Sequence, residues 1–303
     1  MAFDFLVQLL VNGFIIGLLY GVVAMSFVLI YKSSQVVNFA QGEFLLVGAW
    51  ACWWLLAKFS MPFYMAFLLT LLFMMLFGIL VQIIILKPLI GEPIISIIMV
   101  TIGLSIFFQA IMNWMFGVFT EPFPQIFSSE SLNIFGLNVQ TAYLMSGLIS
   151  IFIMIIFALF FKKSKLGLAM RATAFDQQAA QSLGVSIKQV FAAAWAISAM
   201  VSAVAGVVFG IVNGISSGIA FMGIKVFPAV ILGGLDSVLG AILGGLVIGL
   251  LEHLAHYIDV QFLNIGNLIR IAPFYALIII LMIKPYGFLV LKILKEYKYE
   301  FEK

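Results

Sequence analysis

Apolar runs long enough to cross a lipid bilayer recur along most of the chain, and they restrict its fold more than any other feature. A membrane-spanning α-helix needs about 20 consecutive, mainly apolar residues. The hydrophobic share is 65% and the charged share only 9%, whereas soluble domains carry about 25% charged residues. Strands of a β-barrel would alternate apolar and polar residues in short segments. The sequence instead predicts an all-α, polytopic transmembrane helical bundle, with spans near 6–31, 36–57, 63–86, 94–116, 141–161, 190–212 and 268–284.

A glycine-rich stretch at 226–257 departs from this pattern. Its first part, 226–235, is too short to span, so we expect a short or re-entrant helix there and a full span from 238 to 257. The total is then about eight full spans plus the short segment. Asp236, at the junction, is a candidate helix cap or gate. Close helix packing or a backbone break favours glycine, and the candidates are Gly233, Gly234, Gly240, Gly244 and Gly245.

Two other stretches leave alternatives open. Residues 13–21 and 240–249 have similar Gly- and Leu-rich sequences. The similarity indicates either an internal repeat or the common composition of membrane helices. The piece "LNIFGLNVQ" at 132–140 could either pair as a small hairpin or cap the outer face.

Lys and Arg indicate the orientation, because cytoplasmic loops carry an excess of them. When 162–189 is placed in the cytoplasm, only Lys58, Lys225 and Arg270 of the 15 basic residues fall outside. The N-terminus is then extracytoplasmic and the C-terminus cytoplasmic. We expect one transmembrane domain over 1–303, with a cytoplasmic loop at 162–189, an external loop at 117–140 and a cytoplasmic tail at 285–303.

The sequence offers no motif for catalysis or for holding a cofactor. It has no GxxxxGK[ST] phosphate loop, no HExxH or CxxC metal motif and no GxSxG nucleophile motif. Glu252, His253 and His256 are too few for a metal site, and we expect a helix end there with polar tips facing water at the outer interface. The net charge of +3 gives no indication of nucleic-acid binding. The sequence therefore favours neither an enzyme nor a metal, cofactor or nucleic-acid site.

Polar residues cluster at the start of the second span, in "VVNFAQGEFLLVGAW". Asn38 and Gln41 are three residues apart and share a helix face, Glu43 points elsewhere, and Gly42 allows close backbone approach. Polar groups in lipid usually face the bundle interior or a water-filled cavity. These four residues are therefore candidates for a pathway lining or gate, and equally for a cluster that packs helices together.

One polar stretch, "GLAMRATAFDQQAAQSLGVSIKQV" at 167–190, separates two strongly apolar segments. Its pattern predicts a helix over 169–182 that ends at Gly184, a favourable residue just past a helix end. A short amphipathic helix with small residues suits docking into a groove of another protein. The alternative is an interfacial helix on lipid headgroups, but the few basic residues and the absence of Trp favour docking.

The stretch "MRATAFDQQAAQSLGV" at 170–185 resembles the cytoplasmic coupling segment of ABC importer permeases. The wider chain resembles the branched-chain amino acid permeases of the LivH type, in order and with matching spacing. The resemblance covers "GFIIGLLYGVVAMSFVLIYKSSQVVNFAQGEFLLVGAW" (13–50), "AVAGVVFG" (203–210), "FPAVILGGLDSVLGAILGGLVIGLLE" (227–252) and "KPYGFL" (284–289). One departure is Gln41, where many relatives have His.

The resemblance implies an ABC importer permease fold in a bacterial inner membrane, with several partners. Two permease subunits, this one and a LivM-like partner, would form the path for leucine, isoleucine or valine. An extracytoplasmic solute-binding protein would deliver the amino acid, and two ATPase subunits would dock on the 171–185 helix. The residues implied in coupling are Arg171, Ala172, Phe175, Asp176, Ala179, Ala180, Leu183 and Gly184.

Three other interpretations remain open at this point. A related importer permease for urea, amides or ribose-type sugars would share the coupling helix. A stand-alone channel or ion-driven carrier would place ionisable residues mid-membrane, and we find little there except Glu43 near one end. A membrane scaffold or receptor without transport is disfavoured because the chain has no sizeable soluble domain.

Overall fold

The computed structural model describes residues 2–89, 92–127, 130–134 and 137–283. These residues are almost entirely helical. The helices are α1 Ala2–Ser34, α2 Gln41–Phe59, α3 Phe63–Val81, α4 Ile94–Phe116, α5 Thr141–Lys163, α6 Lys165–Phe175, α7 Gln177–Ser182, α8 Ile187–Asn213, α9 Gly218–Gly233, α10 Val238–Ile258 and α11 Leu268–Ile283. π-Helical turns at Gln82–Leu86 and Asp259–Leu263 extend α3 and α10, and a 3-10 turn follows at Lys87–Leu89.

Within the described residues, seven helices are long and apolar enough to cross a membrane, and two more, α9 and α11, are apolar and are described over 16 residues each. The all-α polytopic bundle expected from the sequence is confirmed. The span expected at 268–284 corresponds to α11, which begins at Leu268 and is described as far as Ile283. The expected tail at 285–303 and the "KPYGFL" stretch lie outside the described residues.

The described chain divides into two compact units. The first contains residues of Met1–Val28 and Phe127–Ile151 and the chain from Lys225 on, and the second contains Leu29–Ile126 and Phe152–Ile224. The boundaries fall within α1, α5 and α9, so each of these helices contributes residues to both units.

In the first unit, α1 packs antiparallel against α10 through glycines. An added Cβ at Gly245 would overlap the backbone of Gly21, and one at Gly249 would overlap Gly17. Small residues at four-residue spacing let membrane helices approach this closely. The two stretches whose sequences resemble each other, 13–21 and 240–249, therefore contain the two sides of one helix interface.

The piece at 132–140 contributes to a hairpin, the first of the two alternatives expected for it, and this hairpin belongs to the first unit. Strand β1, Ser131–Ile134, pairs antiparallel with β2, Leu137–Gln140. The Gln8 side chain of α1 donates a 2.9 Å hydrogen bond to the Asn138 carbonyl in β2. This bond holds the hairpin against the beginning of α1.

In the second unit, helix α8 lies between α2 and α3, and aromatic side chains fill the core. The Phe44 ring is fully buried and meets the Trp195, Phe77 and Phe108 rings edge to face at 5.2–6.4 Å. Aromatic rings favour this arrangement because the positive ring edge faces the negative ring face. By contrast, α3 and α4 leave about half of their large apolar side chains exposed, as expected for surfaces that meet lipid.

Two expected helix starts were wrong. Helix α2 begins at Gln41 rather than near residue 36, so Asn38 lies in the turn before the helix. Helix α9 begins at Gly218, eight residues before the expected short piece at 226–235. The cap of α10 is Ser237, whose hydroxyl accepts from the Gly240 N–H at 3.0 Å, and not Asp236.

Candidate functional site

A network of amides and hydroxyls lies buried in the second unit where α2 meets α8. The Asn38 amide donates to the Gln41 side-chain oxygen at 2.9 Å. The Gln41 amide nitrogen donates to the Ser198 and Ser202 hydroxyls at 2.9 and 2.5 Å. All four side chains are essentially inaccessible to solvent. The structure thus brings Asn38 and Gln41 together, in a network that joins α2 to α8.

Glu43 and Gly42 belong to separate contacts within the same unit. The Glu43 carboxylate is 5% exposed and accepts a 2.7 Å hydrogen bond from the Ser105 hydroxyl of α4. A Cβ at Gly42 would overlap the Ala220 carbonyl of α9. Glu43 therefore points away from the face that Asn38 and Gln41 share, as expected. A role for any of these residues on a transport path stays a prediction.

A charged cluster in the first unit joins α1, α9 and α10. The Lys225 ammonium lies 2.7 Å from one carboxylate oxygen of Glu252, and the Tyr20 hydroxyl donates to the other at 2.7 Å. Lys225 also donates to the Tyr20 hydroxyl at 3.2 Å. The three side chains are buried, and an ammonium facing a carboxylate, with a hydroxyl between them, satisfies charges that lipid alone could not solvate.

The sequence analysis missed this cluster. Glu252 was expected to face water at a helix end, but its side chain is only 1% exposed, and Lys225 was assigned to the outer side although it is also buried. The available signal was a lone Lys inside one apolar helix and a lone Glu inside the next. Such residues inside membrane segments usually pair with one another.

A second residue not singled out from the sequence closes the turn after α10. The Asp259 carboxylate is 4% exposed and accepts hydrogen bonds from three backbone N–H groups, those of Ile265, Gly266 and Leu268, at 3.0–3.2 Å. It therefore fixes the chain that leads from the π-helical turn into α11.

The polar stretch between α5 and α8 is two helices, α6 and α7, and not the single helix expected over 169–182. Asp176 ends α6 and begins α7, and its carboxylate accepts from the Gln178 and Ala179 N–H groups at 2.8 and 2.9 Å. A capping Asp in extended conformation breaks the helix because its side chain replaces the missing carbonyl acceptors. Gly184 has φ +87°, the left-handed conformation expected of the residue after a helix end.

Two large apolar side chains within residues 171–185 are highly exposed. Phe175 is 96% exposed and Leu183 is 84% exposed, and Ala179 is exposed on the same segment, whereas Ala180 is buried and Ala172 half-buried. Isolated exposed apolar side chains are normal on soluble surfaces. Here they lie on a short polar segment outside the apolar spans.

Arg171 points inward, toward the end of α5. Its guanidinium donates to the Phe161 carbonyl and lies over the Phe161 ring at 5.5 Å. The side chain therefore completes the C-terminal end of α5, where carbonyls lack helical partners.

Three of the glycines expected to permit close packing, Gly233, Gly240 and Gly244, lie at contacts between α9 and α10, whereas Gly245 faces α1. A Cβ at Gly233 would overlap the Gly240 carbonyl, and one at Gly244 would overlap the Ala229 carbonyl. Gly234 has φ +89° in the turn between the two helices, the left-handed region that glycine occupies without strain. Asp236, in the same turn, is exposed.

The fold thus defines the class of the protein. It is a multi-pass helical membrane protein with two buried polar clusters. Residues 9–283 match the family of branched-chain amino acid transport system permease components. The chain belongs to that family.

Three curated relatives illustrate the similarity. The permease protein BraD of Pseudomonas aeruginosa is 31% identical over 93% of this chain and 95% of its own length. The permease protein LivH of Salmonella typhimurium is 27% identical over 95% and 96%. A probable LivH permease of Methanocaldococcus jannaschii is 27% identical over 87% and 86%. All three are described as branched-chain amino acid transport permeases.

A solved structure shares the fold. PsaBC from Streptococcus pneumoniae, solved in complex with a Fab, superposes with a TM-score of 0.53 and 18% identity, and the match covers 95% of both chains. The family match and the seven apolar helices make this chain a multi-pass inner-membrane permease subunit of an ABC importer.

Proposed function

We propose that this permease subunit carries leucine, isoleucine and valine, and that it takes its driving force from ATPase subunits docked on residues 171–185. The relatives supply the substrate class, because their names specify branched-chain amino acids. The observation that carries the docking assignment is the pair of exposed apolar side chains, Phe175 and Leu183, on the polar α6–α7 segment. Interface anchors are typically large apolar or aromatic side chains that fill a pocket of the partner.

Asp176 and Gly184 give the docking segment a defined shape. Asp176 caps α7, and the Val185 and Gly184 N–H groups donate to the Ala180 and Gln181 carbonyls at 3.0 Å, a double hydrogen bond that closes the helix end. Such a preorganised segment loses little conformational entropy on binding. The docked ATPase can then transmit its motion to α5 and α8, the helices that flank the segment.

The remaining partners follow from the family. A second, LivM-like permease subunit completes the translocation path, and an extracytoplasmic binding protein delivers the amino acid. In this proposal the buried Asn38–Gln41 network holds α2 on α8 beside that path, and Gly42 and Glu43 keep α2 close to α9 and α4.

The proposed orientation places the docking segment in the cytoplasm and the N-terminus outside. It is supported by the distribution of basic residues. Cysteine accessibility tests it. A Cys introduced at exposed Asn133 of the hairpin should react with an impermeant maleimide in intact cells, and one at Gln178 should react only after permeabilisation. The opposite pattern would reverse the orientation.

The substrate is tested by uptake of labelled leucine in cells with and without this gene. Deletion should abolish a component of uptake that excess isoleucine and valine block and that ribose and urea do not. Unchanged leucine uptake would reject the substrate while leaving the permease assignment in place, and sugars and urea would then be tested in the same cells.

Docking is tested separately with two variants of the 171–185 segment. Ala179→Trp places a bulky side chain on the exposed face, and Gly184→Pro is incompatible with the positive φ at that position. Both variants should reach the membrane, but ATP hydrolysis should no longer be coupled to uptake. Normal uptake in both variants would refute the docking assignment.

A further inference from the structure

A cavity of about 180 Å³ lies in the second unit, beside the beginning of α7. Its walls come from the end of α1, the π-helical turn after α3, the beginning of α4, α7 and α8. The polar side chains that line it include three amides and one carboxylate, those of Gln35, Gln82, Gln177 and Glu92. The opposite wall is apolar and includes the Phe191 and Trp195 rings.

Gln82 shows that this cavity is more than a packing defect. The residue is only 2% exposed, and its side chain makes no hydrogen bond to any residue that the structure describes. Because this amide lines the cavity, it is available to hydrogen-bond an occupant. Gln82 also begins a π-helical turn, a distortion found frequently at functional sites.

The lining specifies the chemistry of an occupant. Of the described residues that line the cavity, none is Lys, Arg or His, so an anionic headgroup or a phosphate would meet no cation among them. A carboxylate and amide oxygens suit an ammonium group, and amide nitrogens can donate to a carboxylate. The volume is below the range of about 300–1,000 Å³ that drug-sized ligands occupy, so the occupant must be a small solute.

We propose that this cavity binds a free aliphatic amino acid. Its ammonium lies toward Glu92, its carboxylate accepts hydrogen bonds from the Gln82 amide, and its side chain packs on the apolar wall. The proposal rests on the proposed function, because that function places the cavity on the ATPase side of the membrane. The amino acid bound there is the transported product, and its binding slows the ATPase.

Gln177 provides the connection to the ATPase. It lines the cavity and is the first residue of α7, directly after the break at Asp176. A displacement of α7 therefore changes one wall of the cavity. A ligand shifts a conformational equilibrium by its difference in affinity between the two states, so an occupant that fits the present wall opposes that displacement.

Binding is tested on the complete transporter, with all its permease and ATPase subunits, in lipid nanodiscs without the binding protein. Equilibrium dialysis with labelled L-leucine should detect binding to the wild type. Gln82→Leu should weaken it about tenfold, the loss expected for one hydrogen bond to a charged group. Gln261→Leu, the same replacement at an exposed position of the first unit, should bind as the wild type does.

Two further readouts separate a ligand site from a structural role. Gln82→Leu should not lower the unfolding temperature, because it removes a buried amide that has no protein partner. ATP hydrolysis by the wild-type complex should fall when millimolar L-leucine is added and should not fall in Gln82→Leu. Isopentanol, which lacks the ammonium and the carboxylate, should not reproduce the inhibition.

The results that would overturn this proposal differ from the result that would reject the proposed function. If neither protein binds leucine, the cavity holds water only and the proposal is overturned. Equal binding by wild type and Gln82→Leu, or a clear loss of stability in Gln82→Leu, would also overturn it. An absence of ATP-driven leucine uptake by the wild type in proteoliposomes would instead reject the proposed function.

Discussion

The ion pair between Lys225 and Glu252 permits a quantitative prediction about stability. The Lys225 side chain is 11% exposed and that of Glu252 is 1% exposed, so solvent screens the pair little. Breaking a buried pair by removing one partner typically costs about 3–5 kcal/mol, because the remaining charge is left uncompensated. Replacing both partners by apolar residues of similar size is often neutral or stabilising.

We therefore expect the two single replacements to lower the free energy of unfolding by different amounts. Lys225→Met should lower the free energy of unfolding by about 5 kcal/mol, the upper end of that range, because the Glu252 carboxylate cannot reach water. Glu252→Met should cost less, about 3 kcal/mol, because the long Lys225 side chain can extend its ammonium toward a polar region. Tyr20→Phe removes one hydrogen bond to a charged group and should cost about 2 kcal/mol.

The double variant Lys225→Met/Glu252→Met is the decisive measurement. It should lie within about 1 kcal/mol of the wild type, far from the sum of the single losses, which is the signature of direct interaction in a double-mutant cycle. Steric trapping in bicelles measures the free energy of unfolding without extrapolation from denaturant. Lys58→Met, at an exposed position, is the control and should change stability by less than about 0.5 kcal/mol.

Two outcomes would refute this reasoning. A Lys225→Met variant as stable as Lys58→Met would show that the charge of Glu252 is compensated by something other than Lys225. A double variant that loses the full sum of the single effects would show that the two residues contribute independently.

Three further predictions concern single positions. Asp259→Ala should lower the unfolding free energy by about 3 kcal/mol, since three backbone N–H groups lose their acceptor, and Asp259→Asn should recover part of it in the same assay. Gly245→Val should cost about 3 kcal/mol because its side chain would overlap the Gly21 backbone, whereas Ala should cost less. Glu43→Gln keeps an acceptor for the Ser105 hydroxyl and should therefore retain stability while lowering leucine uptake; equal uptake would remove Glu43 from the transport mechanism.

Much of the local structure could be predicted because it depends on short-range chemistry. Apolar runs predict helices, and the piece at 132–140 was identified as a possible hairpin. Gly184 was assigned to a helix end because a residue there adopts a left-handed conformation that glycine tolerates. Each of these inferences uses neighbouring residues only.

The break at Asp176 shows where local reasoning was incomplete. The apolar spacing from 169 to 182 fits one helix, but an Asp can equally cap a new helix, since its side chain competes with the backbone for N–H groups. The sequence "FDQQAA" contained this alternative, and the periodicity of the flanking residues obscured it.

The pairings between distant residues could not be predicted. Lys225 and Glu252 are 27 positions apart, and Tyr20 is a further 205 positions from Lys225. Which lone charge meets which depends on how the helices pack. The same holds for Gln41 and Ser198, whose contact follows from the close approach of α2 and α8.

Among the described residues, three carboxylates are buried, and they are compensated in three ways that distinguish function from stability. Glu252 faces an ammonium and Asp259 faces three backbone N–H groups. Glu43 receives the Ser105 hydroxyl, and no Lys or Arg among the described residues forms an ion pair with it. Burial of a weakly compensated carboxylate is costly and serves no packing purpose that a neutral amide would not serve as well. Glu43 is therefore the buried carboxylate whose charge we expect transport, rather than folding, to require.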